Sequence, residues 1–204
     1  MRILGIESSS LVASVAVVTD GVVTAEYTVN FKKTHSQTLL PMLDEIVRMV
    51  ELDLETVDAI AVSGGPGSFT GLRIGSATGK GLGLALKKPL IHIPTVDGMA
   101  YGMYGYGGLV CPIMDARRNQ VYTGIYDNRE GFTAVREQSA MDIDELVDEL
   151  NNMETRVVFL GDGVPVYREQ IAERMTVPFS FAPAHVNRQR AAAVAALGCI
   201  YYEE

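Results

Sequence analysis

Three groups of residues in this chain have types and spacings that can do chemistry. Glu7-Ser8-Ser9-Ser10 ends an apolar run, Arg2 to Ser8, with one carboxylate and three hydroxyls. Such a turn can hold a magnesium–nucleotide, or the carboxylate can order its own turn. Gly64-Gly65-Pro66-Gly67-Ser68 is a glycine-rich turn leading into a helix, where unbonded N–H groups and the positive dipole end attract phosphate. Glu7, Ser8, Gly64, Gly65, Gly67 and Ser68 are therefore the candidate phosphate or nucleotide contacts. The third group, Asp115, Arg117 and Arg118, falls at a predicted hairpin turn, either as a small polar site or as a structural pair that fixes the turn.

Sharper fingerprints fail. A P-loop needs Gly-Lys followed by Ser or Thr, but Gly79-Lys80 is followed by Gly81, and Ile74 stands where the first glycine belongs. The dinucleotide pattern places Thr70 at its third glycine. His35, His92 and His185 are scattered without metal spacing, and Ser68 lies in no G-x-S-x-G elbow. Asp142/Asp144 and Glu203/Glu204 sit at helix ends, where solvation explains them. The residues thus predict no catalytic group, no bound metal and no intrinsic cofactor.

The elements that position these groups centre on residues 61–88. Asp58 to Ser63 reads as a buried strand, and Pro66 biases Gly65 toward extended conformations. Ser68 or Thr70 can cap the helix that follows. Within it Gly71, Gly75, Gly79 and Gly83 recur every fourth residue and make one ridge without side chains. Against alanine the ridge is unfavourable by roughly 3 kcal/mol. The gain on offer is close approach of another backbone, either a sheet or a second helix. Upstream, Ala13–Thr19 and Val22–Phe31 read as strands joined by an Asp20-Gly21 hairpin turn. Thr34 to Leu52 reads as a helix, with a Thr34/Gln37 capping box and Pro41 either kinking it or moving its start to Thr38. Leu39, Leu43, Ile46, Val47 and Val50 form its core stripe, and Met42 and Met49 either make an exposed edge suited to a partner or belong to a thick core helix.

Downstream, Leu90–Pro94 reads as a strand and Thr95–Tyr104 as a short helix. Glycines alternating with tyrosines at 102–108 mark a domain boundary, giving residues 1–104 and 105–204, with the last helix able to pack back on the first part. Leu109–Asp115 with Asn119–Asp127 reads as a hairpin. Phe132–Gln138 and Arg156–Leu160 read as strands. Helices are expected from Asp142, over Tyr167–Met175 and over Arg188–Tyr202.

The segment GGPGSFTGLRIG, the run Thr34-His35-Ser36-Gln37-Thr38-Leu39-Leu40-Pro41, and Asp115-Ala-Arg117 followed by Val121-Tyr122 together resemble the TsaB (YeaZ) family. The likeness is strongest from Met1 to about Tyr122. It implies an α/β chain of two actin-like (ribonuclease H-like) mixed-sheet subdomains. It also implies a non-catalytic partner of TsaD and TsaE in threonylcarbamoyl transfer to adenosine 37 of tRNA. Where actin-like ATPases carry Asp-x-Gly-Thr/Ser after the first strand, this chain has Glu7-Ser8-Ser9-Ser10. Where TsaD carries a paired-histidine metal motif, it offers only His35. The alternative is a divergent actin-like ATPase or kinase using Glu7 and the Gly64–Ser68 turn, with ATP or ADP also able to sit at a complex interface. The family's tail pattern, Pro-x-Tyr-x-Arg, is missing from Tyr201-Tyr202-Glu203-Glu204, which fits either a truncated chain or a short variant.

The expected partner surface is Leu39, Met42, Glu45 and Met49 of one helix with Gly71, Gly75, Ser76, Gly79 and Gly83 of the other. It would serve a TsaD heterodimer, or a homodimer in isolation. Composition agrees with a folded cytoplasmic protein: 48% hydrophobic and 21% charged residues, two unpaired cysteines, and no apolar run long enough for a membrane. A net charge of −8 opposes phosphate-dominated binding, so tRNA is expected mainly through the complex.

Overall fold

A computed structural model describes residues 1–203. The chain divides into two compact units, Met1–Gly98 with Gln189–Glu204, and Met99–Arg188.

In the first unit, β1 (Arg2–Glu7), β2 (Val12–Thr19) and β3 (Val22–Asn30) form an antiparallel meander, and β4 (Ala59–Ser63) and β5 (Leu90–Ile93) extend it in parallel. The order is β3-β2-β1-β4-β5, so β3 and β5 are the edges. The β2–β3 turn has Asp20 and Gly21 at φ 49° and 77°, the left-handed pair an Asp-Gly hairpin provides. Helices α1 (Leu39–Met49) and α2 (Phe69–Leu86) cover one face; Leu39, Leu43 and Ile46 meet Leu4, Val15, Val17 and Val62 there, with Ile74 and Leu82 at the margin. The last helix, α6 (Ala191–Glu203), lies on the opposite face, where Gly5 and Gly198 admit close approach of helix and sheet.

The second unit repeats this plan. Strands β6 (Leu109–Arg117), β7 (Gln120–Asp127) and β8 (Thr133–Asp142) are the meander, with β9 (Val157–Leu160) and β10 (Phe179–Phe181) parallel beside β6. The order β10-β9-β6-β7-β8 mirrors the first sheet strand for strand. Helices α4 (Ile143–Asn152) and α5 (Val164–Arg174) follow the third and fourth strands, as α1 and α2 do. Helix α3 (Thr95–Tyr101) straddles the division between the units.

Several local readings differ from the structure. Thr34 forms no capping box: a 3-10 turn, His35–Gln37, precedes α1, and the Thr38 hydroxyl donates to the Thr34 and His35 carbonyls instead. Pro41 then sits in the first turn of α1, where no backbone donor is missed, and nothing kinks. β8 runs to Asp142 and α5 starts at Val164, while β10, three residues between prolines 178 and 183, escapes a search for longer alternating runs. Cys111 lies in the second core, and burial pushes its thiol up to about 12.

Candidate functional site

The C-terminal ends of β1 and β4 bring the first two sequence groups together. Glu7 is the last residue of β1 and only 1% exposed. The Ser9 N–H and hydroxyl both donate to its Oε1, at 2.6 and 2.5 Å, so the side chain folds back over its own turn. Burial pushes the Glu7 carboxyl above the usual carboxylate range, against the opposing hydrogen bonds from Ser9, Ser63 and Ser8.

The Gly64–Ser68 turn lies directly on this loop. The Ser68 N–H donates to the Ser9 carbonyl at 2.6 Å, and a Cβ on Gly67 would fall 2.2 Å from that same oxygen. Gly65 sits at φ 106°, not extended, and its N–H donates to the Thr95 hydroxyl; the Gly64 N–H donates to the Ile93 carbonyl. Ser68 is the cap of α2, its Oγ accepting from the Gly71 N–H at 3.3 Å. The amides a phosphate would need at Gly64, Gly65, Ser68 and Gly71 thus already have acceptors within the chain. His35 completes the cluster: its Nε2 donates to the Ser10 carbonyl at 2.9 Å while Nδ1 is buried without a partner.

This arrangement gives a pH signature. Folding binds a proton to Glu7 more tightly than the unfolded chain does, so its contribution to stability falls as pH rises above about 4.5, the carboxyl's ordinary value. Glu7→Gln keeps an acceptor for Ser9 and removes the buried charge. The melting-temperature difference, variant minus parent, should therefore grow from pH 5 to pH 8. A difference that is flat or shrinks with pH would show that the carboxyl's burial is not what governs it.

The nine residues expected at a partner surface do not share one face. Gly71 and Gly75 face the Ser8 loop, Gly79 faces Val62 and Leu90, and Gly83 faces the Lys88 carbonyl, so the ridge is consumed by the chain's own sheet. Leu39 is core, and Met42, 4% exposed, is core as well rather than a solvent edge. Glu45 and Met49 flank a groove between α1 and β3, whereas Ser76 flanks a separate groove between α2 and β5. What α1 and α2 present to solvent includes Met49 (75% exposed), as expected, together with Leu40 (53%), Phe69 (74%) and Leu84 (83%) from outside the expected set. The sequence held the signal, since a glycine ridge turned inward puts Phe69, Ala77 and Leu84 on the opposite side of α2.

The hairpin group is structural in its bonding. Asp115 Oδ1 accepts the Arg117 N–H at 2.8 Å and the Tyr167 hydroxyl at 3.1 Å, and among the described residues no ion pair joins it to either arginine. Arg117, Arg118 and Asn119 all lie at positive φ, and Asn119 bonds both carboxylate oxygens of Asp142, the cap of α4. Among the described residues no three histidine, cysteine or acidic side chains come together as a metal site. No helix there is long and apolar enough to cross a membrane.

Comparison with known proteins bears on this architecture. The family model for TsaD, tRNA N6-adenosine threonylcarbamoyltransferase, matches residues 23–200. The tRNA threonylcarbamoyladenosine biosynthesis protein TsaB of Bacillus subtilis is 31% identical over 200 residues, covering 97% of this chain and 87% of that one. YeaZ from Pseudomonas aeruginosa superimposes with a TM-score of 0.83 at 25% identity, over 99% of this chain and 92% of that one. A polyphosphate/ATP-glucomannokinase from Arthrobacter superimposes at 0.58 with 12% identity, over 100% of this chain and 99% of that one, which shows the shared actin-like fold alone. Two mixed sheets of one topology, and near full-length likeness to TsaB and YeaZ, place the chain in the TsaB (YeaZ) family.

Proposed function

We propose that this chain is a non-catalytic subunit of tRNA threonylcarbamoyladenosine synthesis. It binds TsaD and supports, in trans, threonylcarbamoyl transfer to adenosine 37, with TsaE as a further partner. Beyond the family, one observation carries this reading: Leu40, Phe69 and Leu84 stand exposed on two helices that cover the same face of one sheet. Scattered apolar residues on a surface are ordinary, but large ones exposed on the outer sides of two neighbouring helices fit a partner that spans both. The TsaD model matches most of this chain, so TsaD can present an equivalent helix pair in a pseudo-symmetric contact. Two copies of this chain would use the same face when TsaD is absent. The net charge of −8 supports leaving most of the tRNA contact to the partner.

Steady-state ATP hydrolysis by the purified chain separates this reading from an actin-like ATPase. The expected rate is indistinguishable from a blank, because the loop amides and the Glu7 carboxyl are engaged internally. Sustained turnover abolished by Glu7→Ala would overturn the non-catalytic assignment.

A further inference from the structure

We infer that the outer edge of β5, with the groove between it and α2, binds an extended acidic segment of a partner protein as a sixth strand of the first sheet. The groove shares Phe69 with the exposed apolar residues proposed above for TsaD, whereas Leu40 and Leu84 do not line it.

The first observation is the edge itself. β5 is terminal in the sheet, bonded on one side to β4 only. The Ile60 N–H donates to the Pro89 carbonyl and the Gly64 N–H to the Ile93 carbonyl, so residues of that parity face β4. Strand geometry alternates, which directs the N–H and C=O of Leu90 and His92 outward. These four groups are a short template for pairing with another chain. Both residues are exposed.

The second observation is the groove beside that edge, about 710 Å³ in volume. Its floor and walls are mainly apolar, and the side chains of Leu90 and His92 lie on the α2 side of the sheet, against Gly79 and Gly64. Its charged lining residues are Arg73 and Lys80, and no carboxylate lines it. In a chain of net charge −8 that concentration of one sign stands out. Arg73 rests over the Phe69 ring at 5.2 Å, which holds its guanidinium at the groove's rim. Lys80 follows seven residues later on the same helix face, about 10 Å along the axis. A strand paired with β5 would send alternate side chains, about 7 Å apart, toward these two cations. Apolar groups suit the groove and acidic ones its rim, so the recognised segment alternates or mixes the two.

The test uses the whole chain, isotopically labelled, titrated with a capped hexapeptide of alternating glutamate and valine. A peptide with lysine replacing glutamate is the first control, and oligouridylate, a polyanion without strand-pairing amides, is the second. Expected are shifts at Leu90 to Ile93, at least tenfold slower exchange of the Leu90 and His92 amides, and weakening by salt. Arg73→Glu with Lys80→Glu should reduce affinity at least tenfold. His92→Pro removes one outward donor while leaving the β4 ladder intact, because proline is tolerated on an outer edge; it should cut affinity at least fivefold. The inference is overturned by any of four results: no binding at millimolar peptide, equal binding of the lysine peptide, binding without amide protection, or binding of oligouridylate in place of the peptide.

Discussion

Gly71→Val is expected to remove about 3 kcal/mol or more of folding stability, lowering the melting temperature by about 10 °C. A Cβ at this position would lie 2.1 Å from the Ser8 carbonyl oxygen, a separation that real contacts do not reach. The loop cannot retreat easily. The Ser8 N–H is bonded to Ser63, the Ser9 N–H to Glu7, and the Ser9 carbonyl to the Ser68 N–H. The helix cannot retreat either, since Gly79 and Gly83 hold it against Val62, Leu90 and the Lys88 carbonyl further along. Gly81 on the same helix is the matched control, because a Cβ there meets nothing within 4 Å. Gly81→Ala should gain about 1 kcal/mol from helix propensity alone. Calorimetric melting of both variants checks the pair. A Gly71→Val protein melting within 2 °C of the parent would mean that the loop and helix are not packed as described.

The second large effect concerns association. The double variant Leu40→Glu/Leu84→Glu should bind TsaD about 100-fold more weakly, about 2.7 kcal/mol, with an unchanged melting temperature. Both side chains are exposed, so charge there alters what docks rather than what folds. Met42→Glu is the informative contrast. Met42 packs in the first core, so a carboxylate there should unfold the unit and lose binding for that reason alone. Titration calorimetry beside melting curves distinguishes the two. Full affinity in the folded double variant would move the interface away from these helices.

Much of the fold was legible because its signals are local. The Asp20-Gly21 turn, the buried runs of β1, β4 and β9, and the Ser68 and Asp142 caps each lie in a few adjacent residues. The repeat of one strand order in two sheets was not readable by residue pattern, and only the family likeness implied it. The candidate site was half legible. Glu7 and the glycine turn stood out as a polar loop and a tight turn, but their mutual contact depends on the β1–β4 register. The glycine ridge and Met42, expected at a partner surface, are covered by the chain itself for a simple reason. A glycine ridge fits a partner helix as well as a sheet, and periodicity does not say which neighbour fills it. Met42 was set on the rim because α1 is apolar around more than one stripe. Its place was decided by β2 and β3, which widen the sheet beneath α1.

In the proposed function this chain acts on its partner through its surface and not through a reaction of its own. The most direct measurement is the rate of threonylcarbamoyl transfer to tRNA by a fixed amount of TsaD, with its accessory proteins, as this chain is added. A saturable rise is expected, matched by the Glu7→Gln chain and lost with Leu40→Glu/Leu84→Glu. Transfer indifferent to the added chain, or stimulation that disappears with Glu7→Gln while the fold is intact, would contradict it.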